Sequence, residues 1–134
     1  MGAMFRMQAI KQYQHSSVDA VAATAGPHQL VAMLLEGTLD RLARARGALR
    51  NGDRSGKLAN VAAAIALIEY LKLSLDLEAG GAIAQRLSAL YDFCLGHLAK
   101  ANAADDARML DDVANVLRPI KQGWEEMPRG AAVG

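Results

Sequence analysis

From His28 to Arg118 the chain runs for 91 residues without a proline. Apolar residues recur through that stretch every three or four positions, the spacing of one helix face and not of a strand. The material suits helices too. Ala (27) and Leu (18) together supply 45 residues, whereas Val, Ile and Thr number 14 and aromatics only 6. Ala and Leu lose little entropy on entering a helix, while β-branched and aromatic side chains are what strands favour. An all-α fold follows, and a sandwich or barrel is nearly excluded. At 134 residues the chain makes one domain, and a domain of this size can bury about two-thirds of its unfolded surface without disulfides or metals.

The spacing divides the chain into four helices. Pro27 suits the first position of a helix, where a missing N–H costs nothing. Val31, Leu34, Leu35, Leu39, Leu42 and Leu49 then mark one stripe up to a stop at Asn51-Gly52. A second helix is expected from a cap at Asp53 or Ser55 to about Glu78, with Leu58, Val61, Ile65, Ile68 and Leu75 inward and Gly80-Gly81 turning the chain. Ile83, Leu87, Leu90, Cys94, Leu98 and Ala101 define a third helix, closing near Asn102. Asp105-Asp106 favours the next N-terminus, followed by Leu110, Val113, Leu117, Ile120 and Trp124. Pro119 predicts a kink in this last helix, because it frees the carbonyl of Asn115. Short connections make the set an antiparallel up-down four-helix bundle. Residues 25–124 form it, behind a flexible arm over 1–24 with a short extra helical turn, and ahead of a disordered tail over 125–134. Met1-Gly2-Ala3 has the look of a cloning remnant.

Charge and chemistry narrow the function classes. The net charge is +1, so the whole molecule has no strong pull toward nucleic acid or anionic membrane. No run of apolar residues is long enough for a transmembrane helix, and no signal region opens the chain. One cysteine, Cys94, permits no internal disulfide and fits the cytoplasm; at an apolar heptad position it reads as a small buried hydrophobe. His15, His28 and His97 have no second ligand at helical spacing, so no metal, cofactor or catalytic residue is expected, and the chain is not read as an enzyme. Arg41, Arg44 and Arg50 leave open an alternative, a helical nucleic-acid-binding or regulatory module using them as a basic stripe; recognition of that kind also asks for more positive charge and stacking aromatics. The other feature is surplus leucine on the second and third helices, which reads equally as core filling or as an apolar face for a protein partner.

An ordered series of short motifs bears on that choice. Pro27-His28-Gln29-Leu30, Met33-Leu34-Leu35-Glu36-Gly37, Asn51-Gly52-Asp53 and Leu73-Ser74-Leu75-Asp76 come first. Gly80-Gly81-Ala82-Ile83-Ala84, Leu87-Ser88-Ala89-Leu90-Tyr91-Asp92, Leu98-Ala99-Lys100-Ala101-Asn102 and Trp124 follow. From about Tyr13 to Trp124 the chain resembles the FliS family of flagellin-specific export chaperones. It departs at Gly26-Pro27, where the family shows Ser-Pro, and at Leu35-Glu36, where it shows Tyr-Asp. The resemblance implies a cytoplasmic monomer or weak homodimer that binds the disordered C-terminal segment of flagellin. That binding prevents early polymerisation and delivers the client to the export apparatus, with an export-gate protein as a second partner. Client-binding positions are then expected at Ile10 and Tyr13 on the arm and at Leu34, Leu71, Leu75, Tyr91, Leu95 and Asn102 in a groove. Asp76 and Asp92 are expected to cap or pair locally.

Overall fold

A computed structural model describes the backbone of residues 19–127 and the side chains from residue 26 onward. Four helices carry nearly all of it: α1 (Asp19–Arg50), α2 (Arg54–Leu73), α3 (Leu77–Ala104) and α4 (Ala107–Glu126). Each of α2, α3 and α4 begins on an aspartate whose carboxylate accepts from the first turn. Asp53 takes the N–H of Gly56 at 2.9 Å, Asp76 those of Glu78 and Ala79 at 3.1 and 3.0 Å, and Asp106 that of Arg108 at 2.9 Å. These bonds satisfy donors that no helical carbonyl can reach, and negative charge suits that end of the helix dipole.

The helices close into a ring. α1 packs on α2 and α4, and α3 packs on the same two, with no diagonal contact. This is the up-down bundle that short connections imply, the turns spanning only a few residues. The core is one cluster to which every helix contributes, including Leu34, Leu42, Ile68, Leu98, Val113 and Leu117. The ring is pinned shut at one end by α1 and α4. The rings of His28 and Trp124 stack with centroids 5.2 Å apart, Trp124 Nε1 donates to the His28 carbonyl at 2.7 Å, and His28 Nε2 lies 2.9 Å from the Trp124 carbonyl.

The expected stop at Asn51-Gly52 is present, with Gly52 at φ 70°, but four expectations need correction. Leu58, expected inward, is 40% exposed, because Lys57 and Val61 take the inward row of α2. The α2–α3 turn lies at Ser74–Asp76, not at Gly80-Gly81: Asp76 can cap a new helix, and the Ser74 hydroxyl donates back to the Leu71 carbonyl at 2.7 Å. Gly81 instead bends α3 internally, at φ 56° and ψ −135°, a region that only glycine enters without strain. Downstream of this bend the inward row is Ala84, Tyr91, Cys94, Leu98 and Ala101, so Ile83 and Leu90 face outward. Cys94, Leu98 and Ala101 fit either row, and the Tyr91 ring, the largest fully buried side chain, decides between them. Finally, α4 passes through Pro119 with no break in helical geometry. Asn115 and Pro119 both sit on the exposed side, where water can take up the freed carbonyl.

α1 carries the other backbone break, at Gly26 (φ 80°, ψ −171°), so the segment that enters the bundle starts at Pro27. A serine, usual for the resembled family at this position, would be strained in that conformation. Ile10, Tyr13 and the tail from residue 128 lie outside the described residues.

Candidate functional site

The groove between α3 and α4 is built up from one polar contact. His97 Nε2 lies 3.2 Å from Asp112 Oδ2, which fixes the level at which the two antiparallel helices meet. One turn before His97, Phe93 stacks on the imidazole with centroids 4.5 Å apart. That stacking holds the Phe93 ring upright, with 46% of the residue exposed. Leu90 and Ile83 continue the same side of α3, at heptad spacing from His97. On α4, Val116 and Ile120 follow Asp112 at successive turns and are partly buried against the core. A row of large apolar side chains thus borders an apolar floor. At the α2–α3 turn, before the Gly81 bend, Leu77 and Leu73 are also exposed, Leu73 at 85%. Leucines this open do not serve core packing, and exposed apolar side chains of this size make the row a candidate interaction face.

The residues singled out from the sequence divide by burial. Leu34, Leu71 and Tyr91 lie inside the core, each at most 2% exposed. Burial pushes the Tyr91 hydroxyl up to about 12 and the neighbouring Cys94 thiol up to about 11, so both stay protonated at neutral pH. Leu75 and Leu95 are partly buried and pack against the same cluster. Asn102 is also partly buried, at the opposite end of α3 from the turn that carries Leu73 and Leu77. Its Oδ1 is buried without a hydrogen-bond partner. Asp76 caps α3, and Asp92 accepts from Lys72 Nζ at 2.6 Å.

Sequence patterning missed two features. Lys57 is wholly buried although charged: its Nζ donates to the Asn102 carbonyl at 2.9 Å and pairs with the Asp105 carboxylate. That hydrogen bond holds the Asp105 carboxyl below its ordinary range. Position 57 lies four before Val61 on the inward row of α2, which is the signal that could have found it. The exposed α3 row is likewise hidden in the sequence, because Ile83 and Leu90 share helical spacing with the inward residues Cys94, Leu98 and Ala101.

The basic stripe does not form. Arg50 follows Arg41 by nine residues, two and a half turns, so it points the other way around α1. Arg41 donates to Asn60 Oδ1 at 3.2 Å and Arg44 pairs with Asp40 at 3.1 Å. A cleft of about 380 Å³ between α1 and α4 has both of its arginines hydrogen-bonded within its own walls. There Arg46 donates to both Asp111 oxygens at 2.9 and 2.7 Å, and Arg118 to Asn115 Oδ1 at 2.9 Å. Among the described residues no group of three or more acidic, histidine or cysteine side chains could hold a metal ion. Among them, too, no helix is long and apolar enough to cross a membrane.

Comparison with known proteins identifies the family. The family model described as flagellar protein FliS matches residues 7–131. A flagellar secretion chaperone FliSB of Pseudomonas aeruginosa is 39% identical over 122 residues, covering 91% of this chain and 97% of its own. Flagellar secretion chaperones FliS of Salmonella typhimurium and Vibrio cholerae are 38% and 36% identical, covering 92% and 89% of this chain and 93% and 88% of theirs. Likeness at this level, sustained across almost the whole length, means that the chain belongs to the FliS family of flagellar secretion chaperones.

Proposed function

We propose that the chain binds the disordered C-terminal segment of flagellin in the cytoplasm, holds it from polymerising and hands it to the export apparatus. The observation that carries this reading is the exposed row of Ile83, Leu90 and Phe93, with Leu77 and Leu73 also exposed at the α2–α3 turn. An amphipathic segment that folds on this row buries apolar surface on both partners, and that burial offsets the entropy of ordering it. Gross burial is worth about 25 cal/mol per Å², much of it cancelled by ordering. Leu75, Leu95 and Asn102 retain surface for the same client. Leu34, Leu71 and Tyr91 act from inside the bundle, by setting the shape of the helices that carry the surface. Ile10 and Tyr13 anchor the arm over the groove until the client displaces it. An export-gate protein then receives the loaded complex, and free chaperone is a monomer or weak homodimer.

Calorimetry with a synthetic C-terminal flagellin segment tests this reading. Binding at one to one is expected, with a gain in helical circular dichroism on mixing and a loss of affinity in Phe93→Ala and Leu90→Ser. Removal of residues 1–16 should leave the melting curve intact and change the affinity. Absence of any heat at tens of micromolar, with the bundle folded, overturns the reading.

A further inference from the structure

The exposed α3 row carries one side chain that apolar docking does not require. Arg86 lies three residues after Ile83, four before Leu90 and seven before Phe93, so all four share one side of α3. Its guanidinium is exposed and has no hydrogen bond or ion pair among the described residues. Most arginines of the bundle differ in this respect. Arg41, Arg44, Arg46, Arg54, Arg108 and Arg118 each contact a side-chain oxygen of a neighbour. Arg50 shares the unpaired state but sits at the end of α1, which makes no contact with α3. Asp112 pairs with His97, Asp92 with Lys72 and Glu125 with Lys121, Glu126 accepts from the Gln122 amide, and none of them pairs with Arg86. The groove therefore presents apolar surface with an unneutralised cation between Ile83 and Leu90; Lys100, a heptad after Phe93, is the other unpaired cation on this side of α3, beyond the apolar row among the described residues.

We propose that Arg86 is the specificity determinant of this groove, pairing with a carboxylate that the client carries beside its apolar face. The proposal rests on the reading of the α3 row as the client site and adds what that reading lacks, a source of register. Apolar contact is non-directional, so a helix lying on Ile83, Leu90 and Phe93 can slip by a turn at little cost. A guanidinium that grips a carboxylate through two parallel N–H···O bonds fixes one register and one direction. Apolar neighbours that exclude water strengthen the pair once the client is seated.

The test is a set of double-mutant cycles by calorimetry at low and high salt. The protein arms are wild type, Arg86→Gln, Arg86→Glu and Phe93→Ala. The peptide arms are the C-terminal flagellin segment and its variants with each Asp or Glu changed singly to Asn or Gln. Arg86→Gln should weaken binding about tenfold, roughly 1.4 kcal/mol, and flatten its salt dependence; Arg86→Glu should weaken it further. At one acidic position the peptide change should cost about tenfold against wild type and almost nothing against Arg86→Gln. Arg86 is exposed, so thermal melts of these variants should match wild type. Full affinity in Arg86→Glu, or additive cycles at every acidic position, overturns the proposal. Loss of affinity in Phe93→Ala beside such a result removes Arg86 alone and leaves the client reading standing. Failure of wild type itself to bind removes both.

Discussion

A lysine with no exposed surface is the residue on which one end of the bundle turns. Lys57 joins α2 to the α3–α4 turn through the Asn102 carbonyl and Asp105, and Asp105 occupies a left-handed conformation (φ 52°) as the C-terminal cap of α3. Removing one member of such a pair leaves the buried charge uncompensated, which costs more than removing both. Asp105→Asn should therefore lower the melting temperature, and Lys57→Met added to it should recover part of the loss. Recovery by the double variant in a thermal melt checks this, and strict additivity would refute it. The pH dependence follows from the lowered Asp105 carboxyl. A carboxylate depressed on folding stabilises above its unfolded value, near pH 4, and the contribution is lost as pH falls through the folded value. Wild type should thus lose stability in acid more steeply than Asp105→Asn.

At the scale of the element, the helix starts are the most local features, and short motifs place those of α2 and α4 correctly. Asp53 and Asp106 cap where their position before an apolar run implies, because a cap depends on only three or four neighbouring residues. The Gly-Gly pair misleads for the same local reason, since glycine marks a backbone irregularity without saying whether it is a turn or a bend. Asp76 had already started the helix four residues earlier. Gly81→Ala should cost roughly 1–3 kcal/mol through backbone strain alone, because a Cβ there would meet nothing within 4 Å. Urea unfolding measures the cost; an unchanged midpoint would mean that the bend relaxes into continuous helix. Were it to relax, the register of Ile83 and Leu90 relative to the α2–α3 turn would shift with it, so client binding should fall in the same variant.

For the whole molecule, the decisive contact spans nearly the full length of the fold. His28 and Trp124 are 96 positions apart, yet they exchange two hydrogen bonds and stack. Trp124→Phe keeps a ring to stack but leaves the His28 carbonyl without its donor, and should cost about 1–2 kcal/mol. Denaturant unfolding followed by circular dichroism reads this directly, and a loss no greater than a few tenths would mean that apolar packing alone closes the ring. Closure matters to the proposed function because α3 and α4 frame the groove proposed for the client. A ring that opens at its α1–α4 seam releases the α4 wall, Val116 and Ile120, against which the α3 row is set.

What the sequence determined by itself was most of what depends on spacing within a few turns. The helical class, the caps, the stop at Asn51-Gly52 and the inward faces of α1 and α4 were all legible, because helix geometry repeats every 3.6 residues whatever surrounds it. The tertiary structure decided which of two adjacent apolar rows on α3 turned inward. Tyr91 filled the core and Ile83, Leu90 and Phe93 were left outside. Both rows have helical spacing, so the choice belongs to the shape of the space between α2 and α4 and not to α3 alone. The same space drew Lys57 inside, once Asp105 and the Asn102 carbonyl stood ready to receive its charge.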